Sequence, residues 1–183
     1  STLEEVEQGR EEVETVIHEL TRRGIPHNSS PRIGAMVELP SAVEAISELA
    51  EATDFLSIGT NDLVMYLLAV DRTNERLNQL YRTFHPAVLR VLQRIAAGTG
   101  EELAELSVCG DSAADPAMIP FLLGIGIRKY SVSPNLLPTV RRSMTQYSVE
   151  QAETIRDEML AIRTNREMDE YLKGLRGEVQ AAG

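Results

Sequence analysis

Four short runs, GAMVE, DFLSIGTND, ELSVCGD and KYSVS, recur between longer segments with helical spacing, and no other feature restricts the fold as much. Bounded by proline, glycine and other turn residues, runs this short read as strands. Their apolar content predicts burial on both faces. Strands of that kind alternating with helices predict an α/β fold, a parallel sheet with helices outside it. A doubly wound sheet and a barrel both satisfy the pattern. In either, chemistry gathers at the carboxyl ends of the strands.

The intervening segments supply the helices. Leu3, Val6, Val13, Val16, Ile17 and Leu20 recur at near-helical spacing, with acids early, arginine late and Gly24 as a stop. After the turn-rich GIPHNSSP, a strand in RIGAMVEL leads into a helix reaching Ala52. DFLSIG is followed by helical runs over 63–68 and 75–81, then by a helix from Pro86 to about Glu105. ELSVCG, helical DPAMIPFLLGIG, KYSVS and a helix from Asn135 complete the series. The expected organisation is a single domain: a helix over 1–24, four strand-helix units over 32–147, a charged terminal helix over 148–175 and a frayed tail over 176–183.

Of 183 residues, 43% are hydrophobic and 25% charged, the make-up of a globular domain with a sizeable core. A net charge of −10, with Lys and Arg scattered among acids, argues against a nucleic-acid surface. The longest apolar runs, LVMYLLAV and MIPFLLGIGI, fall far short of the roughly 20 residues of a membrane span. No basic-then-apolar leader opens the chain. The single cysteine, Cys109, suits a reducing compartment, so the expected location is the cytoplasm, with no membrane association.

The strand ends present Glu38, Asn61 with Asp62, Cys109 with Asp111, and Ser133. Glu38 and Asp62 are one strand-helix-strand repeat apart, which predicts two carboxylates level on neighbouring strands, about 5 Å from each other. Such a pair suits Mg²⁺, which keeps several waters and shares substrate phosphate oxygens. Equally, each acid could cap the helix that follows it. Cys109 has two readings as well, a small buried hydrophobe or a strand-end acid or nucleophile beside a ligand. His18, His27 and His85 read as surface or capping residues, with no metal-cluster spacing.

Taken together and in order, GAMVELPSA, DFLSIGTNDLVMYLLAVDRTNE, LYRTFHPAVLRVL, VCGDSAADP and YSVSPNLLPTVRR resemble the phosphoenolpyruvate-binding domain of enzyme I of the bacterial phosphotransferase system, the phosphoenolpyruvate-protein phosphotransferases. Pyruvate phosphate dikinase and phosphoenolpyruvate synthase carry related motifs. The resemblance implies that Glu38 and Asp62 are Mg²⁺ ligands, that Asn61 and Arg72 hold the substrate phosphate, and that Cys109 is the proton donor. The chemistry fits these residue types. Phosphoenolpyruvate brings close to three negative charges, which Mg²⁺ and arginine offset, and a thiol is a plausible acid for the enolate carbon.

The family domain is a (β/α)₈ barrel, whereas four strand-helix units are legible here, so the chain resembles the C-terminal half, strands five to eight, preceded by the helix after strand four. The histidine that receives the phosphoryl group belongs to a separate domain with no counterpart motif in this sequence. The chain alone is therefore expected to be inactive. The implied partners are phosphoenolpyruvate and pyruvate, a histidine-containing phosphocarrier protein acting with the full-length enzyme, and a second copy in a homodimer. One departure stands beside the acid, Asp111 where the family has glutamate. The alternatives are a dikinase- or synthase-type enzyme, and a non-catalytic dimerisation half-barrel.

Overall fold

The computed structural model describes residues 2–71, 74, 77–100 and 105–181. Helix α1 (Leu3–Arg22) opens on a reciprocal cap: the Glu5 N–H donates to Thr2 Oγ1 at 3.3 Å and the Thr2 N–H to Glu5 Oε2 at 3.1 Å. Then follow β1 (Gly34–Val37), α2 (Pro40–Glu44), α3 (Ile46–Ala52), β2 (Phe55–Gly59) and α4 (Thr60–Leu68). Next come α5 (Pro86–Thr99), β3 (Glu105–Cys109), α6 (Asp111–Ala114), α7 (Ile119–Gly124) and β4 (Lys129–Tyr130). The chain continues through α8 (Leu137–Thr145), α9 (Val149–Ala161) and α10 (Asn165–Ala181).

All strand pairs are parallel and the order is β1-β2-β3-β4. Right-handed crossovers that always advance in one direction place every helix on the same face. A doubly wound sheet would need the order to reverse. The described strands never do so, and the sheet is singly wound. Burial alternates accordingly. Val37, Leu56, Ile58 and Val108 are fully buried and join one core with Leu63, Val88, Leu92, Phe121 and Met159, whereas Met36, Phe55, Glu105 and Lys129 are exposed. The expectation of burial on both faces is thus corrected: these strands are covered on one face, and the other carries Met36, Ser57, Ser107 and Cys109. At the amino end of that face Glu105 pairs with Lys129 and with Arg32 at 3.4 Å, which holds the Glu105 carboxyl below its ordinary range, and Arg32 lies over the Phe55 ring.

Several expected helix limits shift. The helix before Ala52 breaks at Ala45, dividing it into α2 and α3. Of the run over 75–81, the described part makes one 3₁₀ turn, Asn78–Leu80. Helix α5 stops at Thr99, and Glu105 already belongs to β3. Most of KYSVS stays irregular, leaving β4 two residues long. The single helix expected over 148–175 is two, because Thr164 starts a second one. Its hydroxyl accepts from the Glu167 N–H at 3.2 Å while Glu167 Oε2 accepts from the Thr164 N–H at 3.0 Å. The tail expected to fray is helical as far as Ala181.

Helix α9 lies against α7 so closely that a Cβ on Gly124 would run into the Ala152 carbonyl oxygen and stand 2.8 Å from Arg156 Cβ. Arg156 Nη1 donates to the Gly124 carbonyl at 2.8 Å in the same contact. Helix α5 begins at Pro86, where a missing N–H is harmless, and His85 Nδ1 accepts from the Ala87 N–H at 3.1 Å. Burial, with Arg82 and Arg90 nearby, pushes the His85 pKa down. No described helix is long and apolar enough to cross a membrane.

Candidate functional site

The parallel register brings three strand ends together. Val37 pairs with Ile58 and Gly59 with Cys109, so Glu38, Gly59 and Cys109 are level across β1, β2 and β3. Gly59 is the space between them. A Cβ there would lie 3.0 Å from both Cβ and Oε2 of Glu38 and 3.1 Å from Met36 Sδ, which means that the Glu38 side chain leans across β2. Asp62 stands three residues beyond this level, in the first turn of α4. The two carboxylates are therefore not level, as the spacing suggested, because the count from Glu38 to Asp62 runs past the strand into the helix.

Neither carboxylate is spent on capping. Among the described residues no side chain caps α2 or α4, although Asp62 gains from its place at a helix start. Both acids are half-buried. No group of three or more His, Cys, Asp or Glu among the described residues is close enough to hold a metal ion alone. Two carboxylates are nonetheless the donor set that suits Mg²⁺, whose remaining positions go to water and substrate oxygens, and they do not suit a closed, softer-metal cage.

Cys109 is half-buried, which departs from the reading of it as a core hydrophobe. Its thiol donates to the Ile58 carbonyl at 3.4 Å and lies 3.9 Å from Met36 Sδ, and the Ser57 hydroxyl points at the sulfur from 3.9 Å. Met36 and Ser57 were not legible as site residues. Their only signal is period two: both fall on the uncovered face of their strands, in line with Cys109.

The Thr60-Asn61-Asp62 turn holds the Cys109-Gly110-Asp111 loop from the side. Thr60, 1% exposed, donates its hydroxyl to the Cys109 carbonyl at 2.7 Å, and Asn61 Oδ1 accepts the Asp111 N–H at 2.8 Å. The Tyr81 hydroxyl donates to the Asn61 carbonyl at 3.3 Å. Asn61 thus carries a structural bond besides any role toward a ligand, and its amide nitrogen, with no partner among the described residues, is the part left for one. The Asp111 side chain is exposed at the start of α6, and Ser133 is exposed ahead of a 3₁₀ turn. Arg72 lies outside the described residues.

Known proteins resemble this chain over most of its length. A phosphoenolpyruvate-protein phosphotransferase of Bacillus sp. (strain S) is 34% identical over 173 residues, 94% of this chain and 30% of that protein. One from Haloferax volcanii is 35% identical over 172 residues, again 94% of this chain and 30% of its own length. A protein of Salmonella typhimurium named for the phosphoenolpyruvate-dependent phosphotransferase system is 37% identical over 158 residues, 85% of this chain and 21% of its own. The chain thus spans about a third or less of the curated relatives it matches. Residues 1–149 match the family description "PEP-utilising enzyme, PEP-binding domain", and the chain belongs to that family.

Proposed function

We propose that this chain is the phosphoenolpyruvate-binding part of a phosphoenolpyruvate-protein phosphotransferase, working in the cytoplasm as the C-terminal half of a (β/α)₈ barrel. The observation that carries the reading is the convergence of Glu38, the Thr60-Asn61-Asp62 turn and Cys109 at the carboxyl ends of three adjacent parallel strands. The singly wound order supports the barrel half, since it is the order each half of such a barrel must have.

Glu38 and Asp62 would hold Mg²⁺, the Asn61 amide nitrogen and Arg72 would bind the phosphate, and Cys109 would face the methylene carbon. When bound, Mg²⁺ supplies positive charge against the phosphoryl and enolate oxygens. The bond between phosphorus and the enol oxygen breaks as phosphorus bonds to a histidine nitrogen on another part of the longer enzyme. The electron pair left on the enolate takes the Cys109 proton at carbon, which yields pyruvate. Water reprotonates the sulfur. The phosphohistidine then passes its group to a histidine-containing phosphocarrier protein, and the longer enzyme acts as a homodimer.

Calorimetry with phosphoenolpyruvate and Mg²⁺ tests the site. Wild type is expected to release heat that Asp62→Asn and Arg72→Ala diminish at least about tenfold in affinity, the scale of one lost charge-assisted contact. Equal heats in all three proteins, or none in wild type, would remove the binding function from this chain.

A further inference from the structure

We propose that Thr60 is a positioning residue for Cys109, one half of a cross-strand latch that ties the proton-donor loop to the start of α4. The latch grips two consecutive peptide groups. The Thr60 hydroxyl donates to the carbonyl of Cys109, before Gly110, and Asn61 Oδ1 accepts from the N–H of Asp111, after it. Gly110 sits between them at φ +84°, and a Cβ there would be 2.5 Å from Thr60 Oγ1 and 2.7 Å from Asn61 Oδ1. No ordinary side chain fits so close an approach.

The parallel ladder ends at the Gly59–Cys109 pair, so the peptide groups just beyond it have no strand partner. Thr60 and Asn61 supply what the ladder no longer does. Thr60 is suited to this, because its β-branched side chain has few rotamers and it is 1% exposed, which leaves the hydroxyl little freedom. Fixing the Cys109 carbonyl fixes the peptide plane and steadies the Cα from which the side chain projects, and the contacts of the sulfur with the Ile58 carbonyl, Met36 and Ser57 place the thiol. The thiol is held beside Ile58 and Met36, and it keeps a constant offset from Asp62 on the same turn as Thr60. A shift of the thiol by about 1 Å would be costly for proton delivery. The assignment of the thiol as the proton donor rests on the function proposed above; the latch itself rests on the geometry alone.

Two readouts on the 183-residue chain test it, neither involving phosphoenolpyruvate, so failure of the latch and failure of the proposed function are told apart. One is the rate at which iodoacetamide alkylates Cys109, and the other is hydrogen exchange of the Asp111 amide. Thr60→Val keeps the side-chain shape and removes the donor. It is expected to raise both rates about tenfold, as a lost buried hydrogen bond raises local opening, while amides within α5 keep their protection. Thr60→Ser is expected to restore both to within about twofold, because only the hydroxyl is needed. Rates in Thr60→Val within about twofold of wild type would overturn the proposal, as would equal gains at α5 amides, which mark general unfolding. If Thr60→Val does not fold, Asn61→Ala decides: faster exchange at Asp111 with faster alkylation supports the latch, and an unchanged alkylation rate refutes it.

Discussion

Replacing Gly110 with alanine is expected to destabilise the chain by about 2–6 kcal/mol, in two parts. The backbone there, at φ +84° and ψ −170°, lies in a region open essentially to glycine alone, and an L residue held in it costs about 1–3 kcal/mol. The added methyl would also stand 2.5 Å from Thr60 Oγ1 and 2.7 Å from Asn61 Oδ1, an overlap whose relief costs about 1–3 kcal/mol more. The sum is a large share of the roughly 5–15 kcal/mol that holds a domain together. Gly126→Ala separates the parts. Gly126 has φ +93° but nothing within 4 Å of a Cβ, so it bears only the backbone cost. With no tryptophan in the chain, urea unfolding is best followed by far-ultraviolet circular dichroism. A loss below about 1 kcal/mol in Gly110→Ala at unchanged m-value, or equal losses in both variants, would refute the close approach.

Two further outcomes test the frame around the site. Gly124→Ala is expected to cost about 1–3 kcal/mol, because the obstacle is the Ala152 backbone carbonyl and no rotamer can relieve it; a neutral result in urea unfolding would show that α9 can move away. Burial lowers the His85 pKa below its unfolded value of about 6.5. The unfolded chain therefore binds the proton first, and the stability that neutral His85 contributes above that value is lost as pH falls through the folded pKa. Thermal midpoints are expected to drop from pH 7.5 to pH 5.5 less steeply in His85→Asn, and equal slopes would contradict this.

The strands and the end at which chemistry gathers were legible, because short runs bounded by glycine, proline and polar residues leave few alternatives. Their coverage was misjudged, although ELSVC already alternates Glu105, Ser107 and Cys109 with Leu106 and Val108, a one-sided pattern that the apolar neighbours concealed. The break between α9 and α10 was also written in the sequence, since Thr164-Asn165-Arg166-Glu167 has the spacing of a reciprocal cap. A continuous amphipathic period across it hid the stop. Register was beyond reach: residue spacing cannot tell where β2 gives way to α4, and this decides whether Asp62 is level with Glu38. The bonds of Thr60, Met36 and Ser57 to Cys109 join positions about 50 to 70 residues apart, and only the folded register creates them.

The uninterrupted strand order also bears on how the chain acquires its structure. Each strand pairs with the next one to be synthesised, so no described strand must wait for a distant partner. Loop closure is then limited to one intervening strand-helix unit at a time, and the entropy it demands grows only slowly with loop length. Such a sheet can extend in the direction of translation, with β2 docking on β1 before β3 has left the ribosome. The cluster at the strand ends would be assembled in the same order, and the Cys109 loop would close last, onto a Thr60-Asn61 turn already in place.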